Sequence, residues 1–424
     1  MRAFRFHRAR RHDSLDAFAR RRVRGFDVSR IDPARRRAGW DDDVSSEMLA
    51  RGLARAVSRE LLSTKVTSRV APFAFGAAGM TTTTTASTTL CVLTHEKLVD
   101  SRPIAERLRA ETPSAFDIVV GSRVEDFDDA ISGAGEARDV ALLWWFAPRA
   151  LAEGVMTTAA RAERSERVRW MHSGSAGVEH LLAIPSVKGH SSVMTNARGA
   201  FSASLGEWGV FACMYFAKRV DEMRAAQRES RWIRTTVGMI QGKEMLVVGY
   251  GDIGQHVARR AKAMGMRVSA VRRTPEKTDP RDEHVERVVG FQSLKEAVAK
   301  ADYVVVALPA TKETDKLIDG DVLNAMKETS VLVNVGRGST IDEDALVDAL
   351  SNKKIAGAAL DVFAVEPLPS DHPFYKLENC LMSFHCADLT SDYHDLALDC
   401  FIQHAKEYVE GKPFTNVVDK ELGY

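Results

Sequence analysis

The sequence predicts an α/β protein of two lobes, each built on a parallel β-sheet, with one lobe inserted into the other. Three observations carry this. From Leu90 onward short apolar runs alternate with helical patterns, beginning with LCVLT, IAERLRA, FDIVVG, VALLWWF and VRWMHS; strands that alternate with helices imply crossover units and a parallel sheet. A second alternating block follows, EMLVVGYGDIGQHVARRAKAMG, MRVSAVRR, ADYVVVALPAT, SVLVNVGRG, IAGAALDVF and CLMSFH, and only this block has a glycine-rich turn directly after a strand. After His385 one more helical pattern, SDYHDLALDCFIQHAKEYVEG, completes the chain. A glycine-turn block in the middle leaves its neighbour to be built from both ends. The predicted boundaries are an extension over 1–88, a first lobe over 89–197 plus 387–424, and the inserted lobe over 198–386.

Composition agrees with a two-lobed globular chain. At 424 residues, with 45% hydrophobic and 28% charged, the balance is that of a soluble protein long enough for two ordinary cores. The net charge of +1 hides an asymmetry: residues 1–79 hold 18 Lys and Arg against 9 Asp and Glu, an excess of +9 that leaves the remainder at −8. A mildly acidic body argues against nucleic acid as the main partner. Cys91, Cys213, Cys380, Cys386 and Cys400 form no CxxC and no metal-ligand spacing, so no metal is expected, and a chain this large needs no disulfide staples. Reduced thiols and a reducing interior follow. No run approaches the roughly 18 to 20 apolar residues of a membrane-spanning helix, so no membrane partner is expected.

The first 80 residues stand apart. MRAFRFHRARRHDSLDAFARRRVRGFDVSR is rich in Arg, lacks Lys and shows no period that would bury a core. SEMLARGLARAVSRELL, residues 46–62, sets Met48, Leu49, Leu53, Val57 and Leu61 on one side of a helix with arginines between them, as import presequences do. Asp41, Asp42 and Asp43 run against that reading, because such presequences are poor in acids. The alternative is an upstream extension ahead of a start at Met80 and the low-complexity TTTTTASTT. Cytoplasm, plastid and mitochondrion all stay open. Between the two blocks, SASLGEWGVFACMYFAKRVDEMRAAQ reads as one long helix with Trp208, Phe211, Met214 and Tyr215 near a 3.6-residue spacing. It bridges the lobes or forms a dimer face, and a buried core helix is the plainer reading of the stripe alone.

Gly249-Tyr250-Gly251-Asp252-Ile253-Gly254 follows the apolar Leu246, Val247 and Val248 and opens a helix carrying Val257 and Ala258. A lone GxGxxG marks any tight turn in a chain with 28 glycines. Strand before and helix after make it a dinucleotide fingerprint, and make the inserted lobe a Rossmann-type doubly wound domain. Gly249 permits the turn, Gly251 lets backbone approach the pyrophosphate and Gly254 lets helix and strand close. The helix N-terminus, at Asp252 and Ile253, offers unpaired N–H groups to phosphates.

Counting 23 residues from Gly249 reaches Arg272, at the end of the next strand, where an acid would grip the ribose hydroxyls of NAD. A guanidinium cannot do that. It pairs instead with a 2′-phosphate, a charge-assisted contact of roughly 1.5 to 3 kcal/mol. Arg272, Arg273 and the Thr274 hydroxyl are therefore expected to face an adenosine 2′-phosphate, so NADPH is the preferred cofactor, with NAD left open. The alternative is a solvated basic turn in which Glu276 partners the arginines.

VVVALPATKETDKLIDGDVLNAMKETSVLVNVGRGSTIDEDALVDAL, AALDVFAVEPLP and SFHCADLT, in that order and spacing, resemble the D-isomer-specific 2-hydroxyacid dehydrogenases, nearest to the glyoxylate/hydroxypyruvate reductases. The resemblance spans about residues 90–415 and is strongest over 245–390. It implies reduction of small 2-oxo acids to D-2-hydroxy acids with NAD(P)H, a flavodoxin-like substrate lobe and a homodimer. It also implies that Leu308, Pro309, Val335, Gly336 and Asp361 lie beside the cofactor, Asp361 near the nicotinamide carboxamide.

The chemistry this implies makes demands on residue types. A 2-oxo acid presents a carboxylate beside a ketone, so a fixed cation must hold the one and polarise the other. Arg337, after the strand SVLVNV, matches the family's substrate arginine, and its planar fork suits that geometry better than Lys. Hydride addition leaves an alkoxide that must be protonated as it forms. His385 matches the family's acid. A lone histidine among 12 is more often structural, so the case rests on Glu366 in VEP, which matches the carboxylate that holds the ring's tautomer and favours its protonated form. HSGSAGVEH at 172–180 resembles the loop whose backbone N–H groups, here around Ala176 and Gly177, meet the substrate carboxylate. Trp144 either walls the pocket or packs in the core. Two departures, Phe384 where the family usually has Pro and CAD in place of a glycine-containing turn, predict a less firmly held histidine; Cys386 reads as a quiet structural thiol. Two other members of the family compete with the reductase reading. One is a nucleotide-sensing corepressor. The other is a phosphoglycerate dehydrogenase, which would need more phosphate-binding cations.

Overall fold

TTLCVL, Thr88–Leu93, is buried along its whole length, as a strand covered on both faces must be. In this computed structural model, which describes residues 88–95, 102–132, 138–162 and 165–424, it is β1 of a five-stranded sheet. The Arg-rich N-terminal segment and the 46–62 helix expectation lie outside the described residues. The other strands are β2 (Phe116–Gly121), β3 (Val140–Trp144), β4 (Val168–Ser173) and β5 (Val193–Asn196). They run parallel in the order β2-β1-β3-β4-β5, a flavodoxin-like order with helices Arg102–Glu111 and Arg149–Arg161 as crossovers.

The helix Tyr393–Val409 returns to this sheet: the Trp170 ring of β4 stacks on Phe401 at 5.2 Å and on Tyr408 at 5.3 Å. Val417 then bridges antiparallel to Thr195 of β5.

The second sheet has seven parallel strands: β6 (Glu244–Val248), β7 (Arg267–Val271), β8 (Arg287–Val289), β9 (Tyr303–Val306), β10 (Val331–Asn334), β11 (Gly357–Leu360) and β12 (Cys380–Met382). Their order is β12-β11-β10-β9-β6-β7-β8, so chain direction across the sheet reverses between β6 and β9. That reversal opens a crevice at the strands' carboxyl ends. Along β6 the side chains alternate between two cores, Met245 and Val247 in one, Leu246 and Val248 in the other, as a strand covered by helices on both faces requires. Among the described residues no helix is long and apolar enough to cross a membrane.

The single long helix expected between the blocks is two helices, Ser202–Ala217 and Val220–Arg228. The chain breaks at Arg219, which is left-handed at φ 52°. The cause is tertiary: the Gly238 N–H donates to the Ala217 carbonyl at 2.7 Å and Lys218 Nζ donates to the Gly238 carbonyl at 2.8 Å. The expected aromatic stripe is not a core face either, since Phe211 is 46% exposed. The helix instead presses its glycines on Asp252–Ala263, where a Cβ at Gly206 would lie 3.0 Å from the His256 backbone.

One buried polar group between β4 and the returning helix predicts how acid acts on the fold. His172 is 0% exposed; its Nδ1 lies 2.8 Å from Thr195 Oγ1 and its ring 5.3 Å from that of His404. Burial, with the charge of His404 adding, pushes His172 well below the ordinary histidine range. Burial lowers His404 too, against the opposite pull of Glu407. The folded state therefore keeps His172 neutral where the unfolded chain takes a proton, so its contribution is complete above the unfolded pKa near 6.5 and falls below it by about 1.4 kcal/mol per pH unit. Thermal melts should show Tm dropping between pH 7 and pH 5, with a shallower slope in His172→Gln. Equal slopes in the two proteins would sink this account.

Candidate active site

The turn after β6 is shaped for a phosphate. Gly249 has φ 101°, and a Cβ there would lie 2.4 Å from the Ala307 carbonyl oxygen. At Gly254 a Cβ would meet the Gly249 carbonyl oxygen at 2.1 Å, so helix and strand close only with glycine. Gly251, by contrast, has nothing within 4 Å of its Cβ position and forms the N-cap of the 12-residue helix Asp252–Ala263. Open space beside backbone at a helix N-terminus fits a pyrophosphate. At the ends of β9 and β10, Gly336 packs on the Leu308 backbone, 2.5 Å from Cβ position to carbonyl oxygen, while the Pro309 carbonyl accepts from Thr314 Oγ1 at 2.6 Å. Val335 is buried there, and with Ile253, Gly336 and Asp361 it lines a cleft of about 500 Å³.

At the end of β7, Arg272 is half-buried and donates from Nη1 to Thr278 Oγ1 at 3.3 Å. Burial lowers its pKa from the ordinary arginine value. Arg273 reaches Glu313 Oε2 at 3.6 Å and lies 5.5 Å over the Tyr424 ring. Thr274 N-caps the short turn Pro275–Lys277. The charge of Glu276 pulls Arg272 the other way, against burial, though among the described residues no ion pair within 4.0 Å joins it to either arginine.

Arg337, Glu366 and His385 line the same cleft. The loop carrying Arg337 is pinned by Asn334, whose Nδ2 donates to the Arg337 carbonyl at 3.0 Å and whose Oδ1 accepts from Gly336 N at 3.0 Å. The guanidinium donates from Nη1 to the Gly336 carbonyl at 2.8 Å and from Nε to Glu179 Oε1 at 2.8 Å. Both oxygens of Glu366 are engaged: Oε1 accepts from Phe363 N at 2.9 Å and Oε2 lies 2.7 Å from His385 Nδ1. Nε2 is then the ring nitrogen left for chemistry.

Asp361 does more than its expected place beside a carboxamide requires. Buried at 1% exposure, its Oδ1 accepts from Ser383 Oγ at 2.7 Å, Cys386 N at 3.0 Å and Ala387 N at 3.0 Å, and its carbonyl accepts from His385 N. The loop it gathers passes through two successive left-handed residues, Phe384 at φ 54° and His385 at φ 56°. Proline, locked near −65°, cannot occupy position 384 on this backbone. Phe384 thus belongs with a loop conformation of its own, and the histidine expected to be less firmly held is tied at its main chain by Asp361 and at its ring by Glu366. Cys386 is exposed, but partial desolvation of its thiol together with the charges of Asp361 and Asp388 raises its pKa, which keeps it a thiol.

Of the two places open to Trp144, pocket wall and core, the structure puts it in the core. At 2% exposure it packs with Leu151, Val155 and Val178 in a core on one face of the first sheet and does not line this cleft. Ala176 and Gly177 do line the cleft; the Ala176 carbonyl accepts from Asn196 Nδ2 at 2.6 Å, and Gly177 lies so close to Arg337 that a Cβ would meet Nη2 at 2.0 Å. Sequence reasoning passed over Glu179, His180, Arg198 and Asp388, which line the cleft as well. Glu179 and Asp388 sat inside quoted motifs, but nothing local marked them. Among the described residues no group of three or more His, Cys, Asp and Glu is placed to hold a metal.

Two parallel-sheet lobes, a phosphate turn at the strand-order reversal and an arginine, glutamate and histidine in one cleft define a nicotinamide-dependent oxidoreductase. Residues 210–387 match the family model "D-isomer specific 2-hydroxyacid dehydrogenase, NAD binding domain". A glyoxylate reductase of Korarchaeum cryptofilum is 32% identical over 238 residues, covering 54% of this chain and 70% of that protein. A D-3-phosphoglycerate dehydrogenase of Methanocaldococcus jannaschii is 30% identical over 268 residues, 63% of this chain and 50% of that protein. Among solved structures, a D-isomer specific 2-hydroxyacid dehydrogenase of Xanthobacter autotrophicus in complex with NADPH and MES superposes with a TM-score of 0.66 at 26% identity, covering 80% of this chain and 100% of that one. The chain belongs to the D-isomer-specific 2-hydroxyacid dehydrogenase family, whose members are NAD(P)-dependent oxidoreductases.

Proposed function

We propose that this protein reduces small 2-oxo acids, glyoxylate or hydroxypyruvate, to D-2-hydroxy acids with NADPH. The observation that carries the reading is the 2.7 Å contact of His385 Nδ1 with Glu366 Oε2 in the cleft that Arg337 also lines. Arg337 holds the substrate carboxylate and polarises the C2 carbonyl, with backbone around Ala176 and Gly177 completing the seat. The reduced nicotinamide, when bound, supplies the hydride. His385 gives the proton from Nε2 to the C2 oxygen as charge builds there, and Glu366 holds the ring in the tautomer that can do so. In this reading 89–197 with 387–424 binds substrate and 198–386 binds coenzyme. The names of the glyoxylate reductase relatives support the substrate class. Initial rates with glyoxylate, hydroxypyruvate, pyruvate and phenylpyruvate test it, and absence of NADPH oxidation with all four would overturn it.

The preference for NADPH rests on Arg272, Arg273 and Thr274, which follow β7 in place of the acid that grips a ribose, and the NADPH complex of the Xanthobacter relative supports it. One charge-assisted contact of roughly 1.5 to 3 kcal/mol corresponds to about ten- to a hundredfold in affinity. Arg272→Asp should therefore shift the NADPH/NADH ratio of kcat/KM toward NADH by at least that range. If the unmutated protein already used both coenzymes equally well, the arginines would have another role.

A further inference from the structure

The Arg337 guanidinium already faces a carboxylate. Glu179, at the start of the helix Glu179–Leu182, reaches across the cleft so that its Oε1 takes the Arg337 Nε at 2.8 Å, while Nη1 is held by the Gly336 carbonyl at 2.8 Å. A substrate carboxylate finds only the remaining N–H groups, chiefly those of Nη2, which sits in the space that the absent Gly177 side chain leaves. The rest of the cleft offers little further positive charge. Its lining holds Glu179, Asp361, Glu366 and Asp388 against two guanidinium groups, Arg337 and Arg198, and the His385 ring that Glu366 already pairs. Arg198 is partly engaged elsewhere, since its Nη2 donates to Asn416 Oδ1 at 3.3 Å.

We propose that Glu179 sets the charge class of the substrate: the cleft takes 2-oxo acids with a single carboxylate and a neutral or cationic group at C3, and rejects those with a second anionic group. This rests on the reading of the cleft as a 2-oxo acid site. Like charges facing one another in a partly desolvated cleft are screened far less than in water, so a second anion beside Glu179 and Asp388 is disfavoured. Two neighbours agree. Burial drives the Asp388 carboxyl upward and Asp361 adds to it, against the pull of His385, so this corner already resists negative charge. Partial desolvation also lowers His180, with the charge of Arg337 adding and Glu179 pulling the other way, so it is a weak source of compensating charge.

Hydroxypyruvate and ketomalonate differ only in a hydroxymethyl against a carboxylate at C3. The unmutated protein should favour hydroxypyruvate in kcat/KM by about tenfold or more, and Glu179→Gln, which keeps shape and removes charge, should narrow that ratio by about tenfold. Asp388→Asn should narrow it in the same direction. A calorimetric titration of the NADPH-loaded protein with D-glycerate and with tartronate reads the same selectivity without turnover. Should no 2-oxo acid be reduced, the reductase reading fails while this titration still decides the charge filter. Tartronate binding as tightly as glycerate, or a ratio unmoved in Glu179→Gln, would overturn the proposal.

Discussion

Replacing His385 with alanine is expected to lower kcat for glyoxylate reduction by about 10² to 10⁴, the range lost when a positioned general acid is removed. The ring's two nitrogens have separate tasks. Nδ1 is committed to Glu366 Oε2 at 2.7 Å, and Glu366 is itself fixed by Phe363 N at 2.9 Å on its other oxygen. The imidazole therefore has one orientation and one nitrogen free to give a proton. Alanine leaves solvent to supply it, while the glycine turn and the end of β7 are untouched, so the Kd for NADPH read from its fluorescence should not move. Glu366→Gln should cost less than the histidine change, because an amide still contacts the ring but no longer balances its positive charge. A His385→Ala protein that kept kcat within tenfold of the parent would remove the histidine from the chemistry.

What the sequence made legible was whatever repeats locally or sits in a contiguous motif. The alternation of apolar runs with helical patterns became two parallel sheets, and the glycines after β6 are explained by contacts within a few residues or with the adjacent strand. Arg337, Glu366 and His385 line one cleft because each follows a strand of the same parallel sheet, whose carboxyl ends share an edge. The failures are long-range. Glu179 and Arg337 are 158 positions apart and follow strands of different sheets, so no local pattern joins them. The helix break at Arg219 is made by Gly238, which returns from a segment without regular structure. Trp144 closes β3 and Trp145 follows it, one in each of the two cores that flank the sheet and both buried, so the presence of an aromatic after an apolar run said nothing about a pocket.

Asp361→Ala should reproduce the His385→Ala loss of kcat, because the carboxylate is what holds the histidine loop in its unfavourable backbone. Each left-handed non-glycine residue costs roughly 1 to 2 kcal/mol, so Phe384 and His385 together cost about 2 to 4. Hydrogen bonds to a charged acceptor contribute roughly 1.5 to 3 kcal/mol each, and Asp361 Oδ1 accepts three, from Ser383 Oγ, Cys386 N and Ala387 N. The bonds outweigh the strain while they last. Without them the loop relaxes and carries the imidazole away from Glu366. Asp361→Asn, a weaker acceptor of the same shape, should retain an intermediate rate. Combining Asp361→Ala with His385→Ala should then be little worse than either alone, the non-additivity of two residues that act as a unit. NADPH affinity separates this role from the one the family resemblance implies. If Asp361 acts by holding the loop, the Kd for NADPH stays near that of the parent while kcat collapses. A large rise in Kd with kcat preserved at saturating NADPH would place its effect on the nicotinamide instead.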